Sequence, residues 1–279
     1  MAGAPARVDG SYPEVVAFAA PSAPARFYAA HLHTLLGTGA VILFLAVWQW
    51  AGTSGTVNPL FSSSPSRILA TFHATPLAQL ATDLGVSGGE FLAGFVLAVL
   101  VGIPLGILVG WYRPLAGVLE PFITVLNATP RVALLPMLMI WLGIGTSSKI
   151  AVVFIGAFLA VLINTTAGVK SLDPALLQVA RSFGASSVQL FRTIALPGSV
   201  PFILSGMRLG LGHALIGIIV GELYGAKAGI GYRMSIAVNT YQTDKVFMNV
   251  MIIAGAGLAF TAALRLIETR FQAWRPTGH

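Results

Sequence analysis

The sequence has no cysteine, which excludes disulfides, thiolate metal sites and a cysteine nucleophile. Charge is almost as scarce: Asp, Glu, Lys and Arg make up 9% of the 279 residues, where a soluble domain carries about 25%. With 56% hydrophobic residues and a mean hydropathy of +0.84, the chain lacks the polar surface to cover itself in water. It reads as an all-α, polytopic membrane protein. Enzyme signatures are missing too. There is no G-x-x-x-x-G-K-[ST] phosphate loop and no H-E-x-x-H, so neither ATP hydrolysis nor a metal site is expected of this chain. Ser205 and His213 stand eight residues apart, about 12 Å along a helix, a poor catalytic pair for an intramembrane enzyme. No internal or inverted repeat is visible, which weakens a secondary-transporter reading. The net charge of +7 raises nucleic acid as a partner, yet the basic residues stand singly at the ends of apolar blocks. That is the pattern of topogenic charge, and no nucleic-acid partner is expected.

What is present is a succession of apolar blocks. Residues 1–30, with Pro5, Pro13, Pro21 and Pro24 among alanines, read as a cytoplasmic tail without fixed structure. The first apolar run lies too far from the start for a cleaved signal peptide. It covers Leu35 to Ala51, extends toward His31, and forms a first span with Trp48 and Trp50 at its outer interface. An outer segment to about residue 83 contains a short helix, Ser66 to His73, capped by Ser66. Leu84 to Trp111 is the second span; Gly102 and Gly106 share a face suited to close helix contact, and Pro104 should kink it. Glu90 near its start either faces water or serves a pore. Ala116 to Gly143 is the third span. Its Arg131 is either a functional charge or a brace for carbonyls freed by Pro130 and Pro136. Lys149 to Lys170 and Pro201 to Leu223 are the fourth and fifth spans, the latter with glycines that serve packing or a smooth channel wall. His213 in it is a hydrogen-bonded interior residue or a ligand. Glu222 onward marks an outer loop with a short helix, and Val246 to Ile267 is the sixth span. Nine basic residues then fall inside and five outside, placing both termini in the cytoplasm.

Between the fourth and fifth spans lies a charged, helically periodic stretch, Ser171 to Gly212. Asp173-Pro174 opens a short amphipathic helix, Gly184 permits a sharp bend, and Pro197 and Pro201 should end a second helix. The run Gln178-Val179-Ala180, three residues, Gly184, nine residues, then Ile194-Ala195-Leu196-Pro197 resembles the E-A-A, three, G, nine, I-x-L-P loop of importer-type ABC transporter permeases, with Gln178 and Val179 as departures. The blocks F-L-A-G-F-V-L-A-V-L-V-G-I-P-L-G-I-L-V-G-W and P-R-V-A-L-L-P-M-L-M-I-W-L-G-I-G are similar to the nitrate, sulfonate, taurine and bicarbonate branch of that family.

The resemblance implies a type I importer-like permease of about six transmembrane helices, with a core at 84–270, a cytoplasmic coupling helix within 171–197, and a C-terminal tail at 271–279. It implies a multi-pass protein of the bacterial inner membrane that passes a small anionic solute by alternating access. Its implied partners are a second copy in a homodimer, two ABC ATPase subunits that bind ATP and Mg, and an extracytoplasmic substrate-binding protein; the chain itself holds no cofactor. Gln178, Ala180, Arg181, Phe183, Gly184, Ala185, Phe191, Leu196 and Pro197 are expected to couple to the ATPase. Asn127, Arg131, Met137, Asn164, His213 and Glu222 are the path candidates. A secondary transporter or channel working without an ATPase is the alternative.

Overall fold

A computed structural model describes residues 23–270. Among them are eleven α-helices and no strand: α1 (Ala23–Thr53), α2 (Pro65–Ala74), α3 (Leu77–Trp111), α4 (Arg113–Ala128), α5 (Leu135–Leu142), α6 (Thr146–Lys170), α7 (Pro174–Ser182), α8 (Ser187–Leu190), α9 (Leu196–Gly225), α10 (Ile230–Asn239) and α11 (Thr243–Arg270). Five helical stretches are long and apolar enough to cross a membrane, and a sixth crossing arises if α4 and the helices after it count as one. The chain divides at Trp50 into two units. Up to that point α1 is an apolar helix with exposed leucine, valine and phenylalanine side chains, and it opens within the stretch read from sequence as tail; residues 1–22 and 271–279 lie outside the described residues.

In the second unit α6 is the central helix, flanked by α3 and α9. Lipid tails are as apolar as leucine, so helices in a membrane associate through close packing, and small residues allow it. Along α3, Gly94, Gly102, Gly106 and Gly110 each face α6, where a Cβ would meet Val153, Val161, Thr165 or Val169. On the other side of α6, Gly206 and Gly210 of α9 approach Ala160, Asn164 and Ala157 as closely. Here packing, and not a channel wall, accounts for the glycines. Phe91, Val153, Ala157, Leu211 and Ile218 fill the core between these helices.

A consequence follows at Gly106, where a Cβ would lie 2.7 Å from the Thr165 Cβ and 2.8 Å from the Leu162 carbonyl oxygen. Backbone cannot yield to it, so Gly106→Val should cost about 1–3 kcal/mol by overpacking. Gly117 on α4 has open space around it, and Gly117→Ala should be neutral or stabilising. Thermal unfolding of the purified variants distinguishes the two; equal melting temperatures would contradict this packing.

Several boundaries differ from expectation. The N-cap of α2 is Ser64, not Ser66, because Pro65 occupies the first helical position and the Ser64 Oγ accepts from the Arg67 N–H. α3 runs through Pro104 as one helix. The third span is not continuous. Thr129 is extended, as a residue before proline tends to be, and the chain turns through 94° between α4 and the segment Arg131–Leu142, which begins as a 3₁₀ turn.

Candidate functional site

The hairpin between α6 and α9 is built from local signals. The Asp173 carboxylate accepts the Ala175 N–H at 2.8 Å and Pro174 starts α7. α7 closes with the Gly184 N–H donating to Arg181 O and the Ala185 N–H to Ala180 O, which requires the positive φ of +80° at Gly184. Ser186 and Gln189 then form a reciprocal capping box that starts α8. Beyond it Phe191–Ala195 is a π turn, and the chain continues into α9 through both prolines. Pro197 and Pro201 therefore do not end the helix. A proline lacks an N–H and crowds the carbonyl four residues back, and the wider π turn loosens the ladder just where Pro197 needs room.

The tip of this hairpin is apolar and uncovered. Phe183 is 88% exposed, and Leu176, Val179 and Val188 are all more than half exposed. Gln178, Arg181 and Gly184 are exposed with them, while Ala180, Ala185 and Pro197 are half-buried and Leu196 is at the margin. Phe191 turns inward, its ring 5.8 Å from that of Trp111, and the neighbouring Leu190 and Ala195 are buried. The hairpin thus has an outward face and an anchored base continuous with α9.

At mid-chain the 94° break places Arg131 beside a cavity of 320 Å³ lined by Asn127, Arg131, Val152, Gly156, His213 and Gly217, among others. The Arg131 guanidinium donates to the Asn127 Oδ1 at 3.1 Å and to the Gly156 carbonyl at 3.4 Å. Both sequence readings of this arginine are realised together: it borders a cavity and it braces backbone, though the carbonyl belongs to α6 and not to the proline-broken segment. Three of the six path candidates, Asn127, Arg131 and His213, come together here. The other three do not. Met137 lies on α5, Asn164 donates to Ala160 O in the α6–α9 contact, and Glu222 is wholly buried elsewhere.

Glu222 belongs to a polar network at the end of the bundle opposite the hairpin. It accepts from the Ser87 Oγ at 2.6 Å and the Gly231 N–H at 2.7 Å. Ser87 in turn accepts the Ile230 N–H, and Asp83 takes the Gly229 N–H and the Arg233 Nε. One turn deeper, Glu90 pairs with the Lys149 ammonium at 2.6 Å and accepts from Thr146; both charged side chains are about 95% buried. Glu90 therefore does not face water, and Lys149 is not a solvated outer charge. Asp83, Lys149 and Arg233 were not singled out by sequence as site residues. The available signal was the spacing of Asp83, Ser87 and Glu90, four and three residues apart on one face of an apolar helix. No group of three or more His, Asp or Glu side chains able to hold a metal occurs among the described residues.

Long apolar helices packed through glycine, a broken span beside a polar cavity, and an uncovered hairpin at one end define a multi-pass membrane transport permease. The chain belongs to the family of binding-protein-dependent transport system inner membrane components, whose model matches residues 102–273. Among its relatives, the putative aliphatic sulfonates transport permease protein SsuC of Bacillus subtilis (strain 168) is 34% identical over 97% of both chains. The taurine transport system permease protein TauC of Escherichia coli (strain K12) is 33% identical, covering 86% of this chain and 89% of its own. A solved amino acid ABC transporter matches with a TM-score of 0.57 at 21% identity, over 73% of this chain and 98% of that one. The inward-facing MetNI methionine ABC transporter matches with a TM-score of 0.52 at 17% identity, over 67% and 97%. The fold is that of type I ABC importer permeases.

Proposed function

We propose that this chain is the permease of an ATP-driven importer for a small organic anion of the sulfonate class, working as a homodimer with two ATPase subunits and an extracytoplasmic binding protein. The observation that carries the reading is the hairpin: an apolar, uncovered tip on a base continuous with α9 offers a grip through which an outside motor moves the packed α6–α9 pair. ATP and Mg belong to that motor, since no phosphate loop occurs in this sequence. The hairpin end and both termini are assigned to the cytoplasm, in keeping with the nine-to-five distribution of basic residues. Closure of the ATPase dimer draws two hairpins together and swings the membrane helices between inward-open and outward-open states, which differ in their affinity for ATP. The α4–α5 side, with the 320 Å³ cavity, faces the path between the two copies.

An anionic solute is favoured by the Arg131 guanidinium, held in place by Asn127 and the Gly156 carbonyl with donor capacity left over. A charge-assisted contact is worth about 1.5–3 kcal/mol. Arg131→Gln should therefore lower binding-protein-dependent uptake of a labelled aliphatic sulfonate roughly tenfold to a hundredfold in proteoliposomes, with the complex still assembled. Wild-type uptake by that variant would remove Arg131 from the path and the anion preference with it.

A further inference from the structure

Two cavities at the end of the bundle opposite the hairpin lie one above the other. The first, of 390 Å³, sits among α2, the start of α3, α10 and α11, and its lining includes Gln79, Asp83, Arg233, Lys245 and Asn249. The second, of 230 Å³, is almost wholly apolar and is lined in part by Leu84, Phe91, Ile252, Ile253, Ala256 and Phe260. Ile230 borders both. On α3 the lining passes from Leu80 to Leu84, Ser87 and Phe91, and on α11 from Lys245 to Asn249, Ile252, Ala256 and Phe260, steps of three and four that follow a single face of each helix. The two cavities are successive parts of one groove. At its deep end the rings of Phe91 and Phe260 meet at a tilt of 35°, with centroids 4.6 Å apart.

The polar mouth carries net positive charge. Asp83 is occupied by the Gly229 N–H and the Arg233 Nε, leaving the other guanidinium nitrogens of Arg233 open, and Lys245 is exposed with no ion pair among the described residues. Asn249 is 3% exposed, lines the mouth, and has no hydrogen-bond partner for its amide among the described residues. Only Glu90 Oε2 and Thr165 Oγ1 are fully buried without a partner among the described residues, so the Asn249 amide opens onto the cavity, where it can donate to a ligand atom. From Asn249 to Phe260 the helix rises about 16 Å, close to the roughly 15 Å of one leaflet's hydrocarbon half.

We infer that this groove is a binding site for an anionic phospholipid of the leaflet opposite the hairpin. Its phosphate sits among Arg233, Lys245 and Asn249, and one acyl chain lies between α3 and α11. Cationic mouth and apolar slot share one axis and the depth of a leaflet, which fits a lipid and leaves half the groove unused by a soluble anion. None of the cavity residues at Arg131 takes part, so the site is separate from the path.

The experiment is to purify the assembled complex in mild detergent and measure retained phospholipid by native mass spectrometry for wild type, Lys245→Glu and Ala256→Trp. The first variant repels the headgroup and the second fills the slot. Wild type should retain an anionic diacyl lipid, each variant should lose it roughly tenfold, and dioleoyl phosphatidylglycerol should raise the melting temperature of wild type where glycerol phosphate does not. Absence of lipid in wild type, as when a protein segment covers the groove, or equal retention in wild type and both variants, overturns the site. Equal protection by glycerol phosphate would make it a free-anion site and overturn the lipid.

Discussion

Gly184→Val should leave the protein inserted and assembled while coupled uptake falls roughly tenfold or more. The reason lies in the backbone and not in space, since nothing stands within 4 Å of a Cβ at that position. At φ +80° the residue closes α7 and sets the angle at which α8 leaves. An ordinary side chain there costs about 1–2 kcal/mol, and a β-branched one is a true outlier. Valine therefore shifts the hairpin to another geometry, lifting Phe183 and Val179 out of register with whatever they grip. Asparagine tolerates this region, so Gly184→Asn should keep most of the transport. Reconstituted uptake and ATP turnover, measured together, separate a coupling defect from a folding defect: the valine variant should hydrolyse ATP without moving solute. Equal transport by both variants would mean that the bend is not needed.

The second large effect is expected at the buried Glu90–Lys149 pair. Lys149→Met leaves a carboxylate about 95% buried without its cation, and one oxygen of Glu90 already has no hydrogen-bond partner among the described residues. Breaking a buried pair in this way costs about 3–5 kcal/mol, whereas replacing both members by apolar residues of similar volume is often neutral. Lys149→Met should therefore lower the melting temperature sharply, and Glu90→Leu combined with Lys149→Met should recover much of the loss. A double variant no more stable than the single one would show that the pair does not act as a unit. Because the pair ties α3 to the start of α6, and Ser87 and Glu222 tie α3 to the end of α9, the network fixes the end of the bundle opposite the hairpin.

Much of this architecture is legible in the chain because its signals are local. Asp173-Pro174 and Gly184 act within a few residues, so the start of α7 and the bend after it follow from sequence; the Ser186–Gln189 box is equally local but was not read. Gly102 and Gly106 share a face by helical period alone, so a close helix contact is legible, while its partner α6 is supplied by the structure. Asn127 and Arg131 stood out as polar residues in an apolar span, and the structure joins them across the break at Pro130.

What was not legible depends on register between distant helices. Glu90 looks like an interfacial charge until α6 is docked beside it, and Lys149 likewise until it meets α3. Met137 and Asn164 are polar or polarisable residues in apolar spans, as Asn127 is, but only the docking of α4 and of the Arg131–Leu134 turn against α6, and of that turn against α9, decides which of them borders the cavity. Pro197 and Pro201 read as stops, yet α9 runs through both, and the π turn that gives Pro197 room leaves no residue signature.

The most direct test of the importer reading is to place a photo-cross-linking amino acid at Phe183, irradiate native membranes and identify what is captured. The 88% exposure of that side chain at the hairpin tip leaves it free to report its neighbour. An ATP-binding cassette protein captured at about one per permease, and captured in lower yield from the still assembled complex when Gly184 is replaced by valine, is the predicted result. Capture of lipid or of a second copy alone, with no ATPase in the purified complex, would contradict the account and bring forward a channel or secondary transporter.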